Sequence, residues 1–212
     1  MADDPGGRDR LGQSVAIDDG VVVAGAPFDD DLGTDSGTVY VFEKRGGTWS
    51  VTARLRAGGA GDHFGRDVAL EGDRLVVGAP DATVVGTRRG AVHVFERSGG
   101  VWQLVASLAA SDGLAVDSFG FSLALHGERL LVGAPGHDLV APDAGAAYMF
   151  ERIGGAWSES AKLLASDGAA GDFFGVSVAL APERALVGAS RDDAPAFEQD
   201  GGALDGGNEH GH

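Results

Sequence analysis

Cysteine is absent from all 212 residues, which excludes a disulfide framework, a thiolate metal site and thiol catalysis together. Basic residues are scarce: 16 Lys and Arg stand against 32 Asp and Glu, for a net charge of −16. A chain of that sign repels phosphate backbones and anionic lipid, so neither nucleic acid nor a membrane surface is the expected partner. No apolar run approaches the length of a membrane-spanning helix. The opening Met-Ala-Asp-Asp-Pro-Gly-Gly has neither the basic end nor the apolar stretch of an export signal. Aromatics make up only 7% of the chain while glycines number 36. That balance, with many short β-branched runs, points to an all-β protein and to a search for internal repeats.

The repeats are there. Leu11-Gly12, Phe64-Gly65, Phe119-Gly120 and Phe174-Gly175 mark one position in four units; Gly25-Ala26-Pro27, Gly78-Ala79-Pro80, Gly133-Ala134-Pro135 and Gly188-Ala189-Ser190 mark a second. The glycines of the two marks are 13 residues apart in every unit, and the units recur at 53, 55 and 55 residues. Such a length suits a four-stranded sheet. The expected first strands are 14–17, 67–70, 122–125 and 177–180, in which a small residue alternates with a branched one, as an inner strand crowded against an axis requires. Tight turns at Asp18-Asp19-Gly20, Glu71-Gly72-Asp73, His126-Gly127-Glu128 and Ala181-Pro182-Glu183 lead into second strands that are apolar on both faces. Third strands are expected at 38–43, 91–96 and 146–151, followed by paired glycines. In the fourth strands Trp49, Ala53 and Leu55, and their equivalents Trp102, Ala106, Leu108 and Trp157, Ala161, Leu163, stand at even offsets, which places each trio on one face.

The expected fold is therefore all-β: a β-propeller of four-stranded antiparallel blades, three complete and a fourth that has its first two strands. Units span 11–61, 62–116, 117–171 and 172–200, preceded by a flexible segment 1–10 and followed by a Gly/His-rich tail 201–212, expected to be disordered. A linear β-solenoid is disfavoured because its coils need crossovers rather than hairpins.

These motifs resemble the FG-GAP repeats of integrin α-chain propellers, and more closely the bacterial repeats of the pattern Phe-Gly-x-Ser-Val-Ala-Leu, Val-Gly-Ala-Pro, Gly-Ala-Val-Tyr-Val-Phe-Glu-Arg. The resemblance runs from residue 11 to about 190. It implies a propeller, an extracellular or cell-surface setting, and roles in adhesion and ligand binding. In many such repeats an Asp-x-Asp-x-Asp-Gly loop between the first two strands holds calcium. Here that loop is a hairpin turn with at most two carboxylates, so calcium is not carried over. A second acidic place is the loop after Gly-Ala-Pro: Asp29, Asp30, Asp31 and Asp35 in the first unit, Asp81 in the second, Asp138 and Asp143 in the third, Asp192, Asp193 and Asp200 in the fourth. The first of these is the best calcium candidate, against the plainer reading of solvated loop acid.

Catalytic chemistry finds little support. Ser14, Ser122 and Ser177 recur in Gly-x-Ser contexts and read as packing residues, without the second glycine of a nucleophile elbow. His63, His93, His126 and His137 occupy different repeat positions and form no sequence-evident cluster. Asp112, Asp117, Asp167 and Asp172 lie in linkers where aspartate makes turns with its own backbone. Glu209, His210 and His212 could chelate a metal weakly in the tail. No residue is assigned as catalytic, cofactor-binding or metal-binding. The expected function is a non-enzymatic binding or adhesion module for a protein or carbohydrate, with variable loops 28–36, 81–89, 136–144 and 191–200 on one rim. The alternatives are a structural assembly element, a fragment of a larger propeller, and a hydrolase on a propeller scaffold. With a half blade at one end, two or more copies are expected to associate, as a homodimer or higher oligomer that covers the open blade faces.

Overall fold

The computed structural model describes residues 8–192. Blade 1 consists of β1 (Val15–Asp18), β2 (Val21–Ala26), β3 (Thr38–Arg45) and β4 (Thr48–Leu55). In blade 2, β5 (Val68–Glu71) and β6 (Arg74–Ala79) are separated from β9 (Ala91–Ser98) and β10 (Val101–Leu108) by a small hairpin, β7 (Thr83–Val84) and β8 (Thr87–Arg88). Blade 3 is β11 (Ser122–His126), β12 (Arg129–Ala134), β13 (Ala146–Ile153) and β14 (Ala156–Leu163). The described part of unit 4 is the hairpin of β15 (Phe174–Ala181) and β16 (Arg184–Ala189). Each full blade is a meander, with strands paired antiparallel in sequence order. The fold is thus a series of β-propeller blades, as the repeat length requires.

Blades stack because each sheet is apolar on both faces. In the first junction, Val23, Val39, Val41 and Leu55 of blade 1 meet Val68, Leu75, Val77, Phe95 and Trp102 of blade 2. Val76, Val92 and Leu108 meet Leu123, Leu130, Val132 and Phe150 in the second, and Leu131, Ala147 and Met149 meet Ala185 and Val187 in the third. Every blade therefore has a leading face toward the preceding unit and a trailing face toward the next.

The Phe-Gly arm locks each junction. Phe64 N–H donates to the Ser36 carbonyl at 3.1 Å, Phe119 N–H to Arg89 at 3.1 Å and Phe174 N–H to Ala144 at 2.9 Å, each bond reaching into the preceding unit. The glycine after the phenylalanine lies against the Gly-Ala-Pro glycine of that unit. A Cβ on Gly25, Gly78 or Gly133 would fall about 2 Å from the carbonyl oxygen of Gly65, Gly120 or Gly175. Glycine is fixed there by the approach of two backbones.

Two expectations need correction. The fourth-strand trio does not share a face. Pairing skips one residue in each fourth strand: Val51 lies opposite Phe42 and Ala53 opposite Val41, Leu104 opposite Phe95 and Ala106 opposite Val94, Glu159 opposite Phe150 and Ala161 opposite Met149. Such a bulge inverts the alternation. Trp102 accordingly packs in the first junction, whereas Ala106 and Leu108 pack in the second. The N-terminal segment also ends earlier than expected. Asp9 accepts from Phe28 N–H at 3.3 Å, and the Arg10 guanidinium lies 4.3 Å from the Phe28 ring centre. Arg10 has φ +54°, like its equivalents His63 (+53°), Ser118 (+58°) and Phe173 (+57°). Residues 9 and 10 belong to the first repeat. The expectations for 1–7, for the end of the fourth unit and for Glu209, His210 and His212 fall outside the described residues.

Candidate polar sites at the loop rim

The loops after Gly-Ala-Pro leave second strands that end alike and enter third strands that begin alike, so they emerge at one equivalent place in each blade. At each loop three positions correspond from blade to blade: one after the second strand, one in the third strand and one in the fourth. They are Asp29, Tyr40 and Arg54 in blade 1; Ala82, His93 and Ser107 in blade 2; and His137, Tyr148 and Lys162 in blade 3.

In blade 1 Asp29 is buried. Its Oδ1 accepts from Thr38 Oγ1 and from Asp31 N–H, both at 3.0 Å, and its Oδ2 from Tyr40 Oη at 3.0 Å. Asp31 pairs with Arg56, and Asp30 accepts from Asp35 N–H at 2.8 Å. The four carboxylates of the best calcium candidate are thus spread over separate tasks: one braces the third strand, one holds an arginine, and one closes the loop onto the backbone of the fourth. Among the described residues no three His, Asp or Glu side chains converge as metal ligands. The turn between the first two strands does not fit calcium either, since Asp18 accepts from Gly72 N–H of the next blade at 2.6 Å and Asp19 is exposed.

In blade 2 His93 is buried, with Nδ1 2.9 Å from Ser107 Oγ. Burial pushes its imidazole below the usual value, only partly opposed by Asp62, which favours the neutral ring. At the loop itself, Asp81 sits 2.5 Å from His63 Nδ1 and 2.6 Å from Arg88 Nη2.

Blade 3 holds the richest cluster. His137 and Asp117 are both buried, and Nδ1–H donates to Asp117 Oδ2 at 2.9 Å. His137 Nε2 lies 2.5 Å from Lys162 Nζ, so the ammonium donates and the imidazole accepts on that side. Lys162 also donates to Asp112 Oδ2 at 2.7 Å, and Tyr148 Oη to Asp112 Oδ1 at 2.9 Å. Burial works against the Asp112 charge, but the hydrogen bonds from Lys162 and Tyr148 overcome it and hold the carboxyl below its ordinary value. Burial and the adjoining Asp112 carboxylate raise the Tyr148 phenol. Lys162 is here a donor to both neighbours, the reverse of what an attacking amine needs. Sequence spacing concealed this cluster because its members are drawn from the linker, the loop and two strands. Comparing equivalent positions across units reveals it: Lys162 stands where the other blades have Arg54 and Ser107.

The linker aspartates divide by role. Asp62, Asp117 and Asp172 each accept, at 2.6 Å, from the N–H three residues earlier, at Gly59, Leu114 and Ala169. For Asp117 and Asp172 this is the expected bond to their own local backbone, and Asp62 does the same in the linker before unit 2. Asp112 serves the cluster instead. Of the serines, Ser14 donates to Asp67 Oδ1 at 2.7 Å and Ser122 to the Gly175 carbonyl at 2.8 Å, so both join adjacent units on the inner strands.

On the opposite rim, a cleft of about 370 Å³ is lined by Arg74, Arg97, Arg152, Glu71, Glu96 and Glu128. Its charges satisfy one another. Arg97 reaches back to Glu43 at 3.4 Å and Arg152 to Glu96 at 3.0 Å, a repeated tie between blades rather than an open binding site.

A family model described as FG-GAP repeat matches residues 1–42, 49–95, 102–150 and 157–204. No curated protein matches the chain.

Proposed function

The chain belongs to the FG-GAP repeat family, and on that premise we propose that it is a non-catalytic binding module, acting outside the cell or at its surface. The rim loops 28–36, 81–89 and 136–144 would take a protein or carbohydrate ligand. One observation carries this reading: at the same place in three blades, a constant framework supports three different polar groups, beneath loops that expose apolar tips at Leu32, Val85, Leu139 and Val140. Exposed apolar residues gathered with varied polar groups on a rigid scaffold are what a recognition surface requires.

The test is a binding screen on immobilised glycans and adhesion-type proteins, with the full chain beside the triple variant Leu32→Asp, Val85→Asp, Leu139→Asp. These side chains are exposed, so the variant should melt within a few degrees of the parent while losing the captured partner. Partners retained undiminished by the variant would sink the rim assignment. Turnover of an ester or glycoside abolished by Lys162→Met would replace it with the hydrolase reading.

A further inference from the structure

The two ends of the array carry complementary halves of one joint. At the second and third internal junctions the trailing face offers a small residue on the first strand and a branched one on the second: Ala69 and Val76, then Ala124 and Leu131. Opposite them the leading face of the next blade offers two branched first-strand residues, Leu123 and Leu125, then Val178 and Leu180. An arginine at the start of the second strand completes the fit. Arg74 Nη1 donates to the Gly127 carbonyl, and Arg129 Nη1 to the Pro182 carbonyl, both at 2.7 Å, in the turn of the following unit.

Within residues 8–192 the outermost halves of this joint are uncovered. On the leading face of blade 1, Val15 is 64% exposed, Ile17 70% and Leu11 43%, whereas Phe64 and Phe119, which stand in the position of Leu11, are fully buried. On the trailing face of unit 4, Leu186 is 50% exposed beside exposed Ala179, and with Gly188 they line an apolar cleft of about 250 Å³. A Cβ on Gly188 would meet only its own unit's Ser177, and one on Gly12 would meet nothing, although the same two positions are in backbone contact at every internal junction. The charges match as well. Arg184 is exposed where Arg74 and Arg129 reach the next turn, and the turn equivalent to their targets in blade 1 is the acidic Asp18-Asp19.

We propose that the leading face of blade 1 docks on the trailing face of unit 4 of a second copy of this chain, head to tail, with Leu11-Gly12 seated against Gly188-Ala189 and Arg184 against the Asp18-Asp19 turn. The joint is head to tail, so each copy has both halves, and two such joints close a symmetric pair when the rotation from one copy to the next is a half-turn.

The experiment is light scattering during size exclusion on the full chain, on Ile17→Lys, on Leu186→Lys, and on an equimolar mixture of the two variants. The parent should run at twice 21.5 kDa and each variant alone at 21.5 kDa. The mixture should recover the doubled mass, because the unaltered tail of one variant meets the unaltered head of the other. A larger assembly that each variant breaks and the mixture partly restores also supports the joint. A parent that stays monomeric at every concentration overturns the proposal, as do variants that remain associated or a mixture that stays monomeric. Thermal melting checks that the variants fold. Should Leu186→Lys fail that check, Arg184→Glu at an exposed site takes its place, with association weakened about tenfold.

Discussion

Ser14 in blade 1 donates its hydroxyl hydrogen to the Asp67 carboxylate in blade 2 at 2.7 Å, and the other oxygen of Asp67 accepts from Leu123 N–H in blade 3 at 2.8 Å. One side chain thus ties three consecutive blades on their inner strands, at a position where the other units have serine.

Burial raises the Asp67 carboxyl above its ordinary value of 3.8, and the hydrogen bonds from Ser14, Leu123 and Val68 offset this only in part. The native state therefore holds this proton more tightly than the unfolded chain does. The stability linked to it is full below the ordinary value and is lost as pH rises through the raised one. In urea titrations the stability of Asp67→Asn, measured against the parent, should improve as pH rises from about 4 to 7. Parallel profiles would remove the assignment.

Asp112 has the opposite sign. Its carboxyl is held below the ordinary value, so its contribution is present above that value and lost as pH falls through the depressed one. Lys162→Met should cost about 0.5–1 kcal/mol at neutral pH, a figure reduced for the solvent around the half-exposed carboxylate. The loss should fade in acid. Tyr148→Phe, which removes the second donor to Asp112, should act in the same direction, and chemical denaturation at two pH values decides both.

Val116 has φ +64° where Gly61 (+78°) and Gly171 (+85°) stand in the neighbouring linkers. All three amides make the same bond back to the preceding unit, at 2.7, 2.8 and 2.9 Å respectively. A β-branched residue in that conformation is strained. Val116→Gly should stabilise the chain by about 1 kcal/mol, since relief of strain exceeds the added freedom of the unfolded chain. An unchanged or lowered melting temperature would refute the strain at this linker.

Gly78→Ala places a methyl group about 2 Å from the Gly120 carbonyl oxygen, a clash of backbone with backbone that no rotamer relieves. It should destabilise by about 3 kcal/mol. Gly99→Ala is the control: its Cβ meets nothing, and only the positive φ of +59° opposes it, so the expected loss is about 1 kcal/mol. A loss at Gly78, whose φ is not positive, no larger than that at Gly99 would remove the clash of the two backbones as its cause.

How far the sequence reveals this architecture depends on the range of each signal. The strands, the turn glycines and the stacking of blades were legible because period and turn chemistry act within a few residues and then repeat. The fourth-strand bulge was not: Val105 carries no mark that sets it apart from its paired neighbours, and only the register against Phe95 and Val94 exposes the skipped position. Nor was the fate of Asp29, whose engagement by Thr38 and Tyr40 depends on the third strand returning beneath its own loop. The cluster around Lys162 spans residues 112–162 and is invisible to any local motif.

The skipped residue in each fourth strand also limits how units can be exchanged. By turning Trp102 toward one neighbour and Leu108 toward the other, the bulge makes the outer strand a two-sided connector whose halves answer to different blades. A chimera spliced within 102–108 keeps Trp102 with its partners in blade 1 and Leu108 with its partners in blade 3, but divides one strand between two parents. Splicing at the paired glycines 46–47, 99–100 and 154–155, where an added Cβ meets nothing, transfers the fourth strand whole, and at 99–100 it parts Trp102 from its blade 1 partners. A cassette that runs from one glycine pair to the next therefore straddles two blades, and one that begins at 99–100 leaves Trp102 facing a foreign blade.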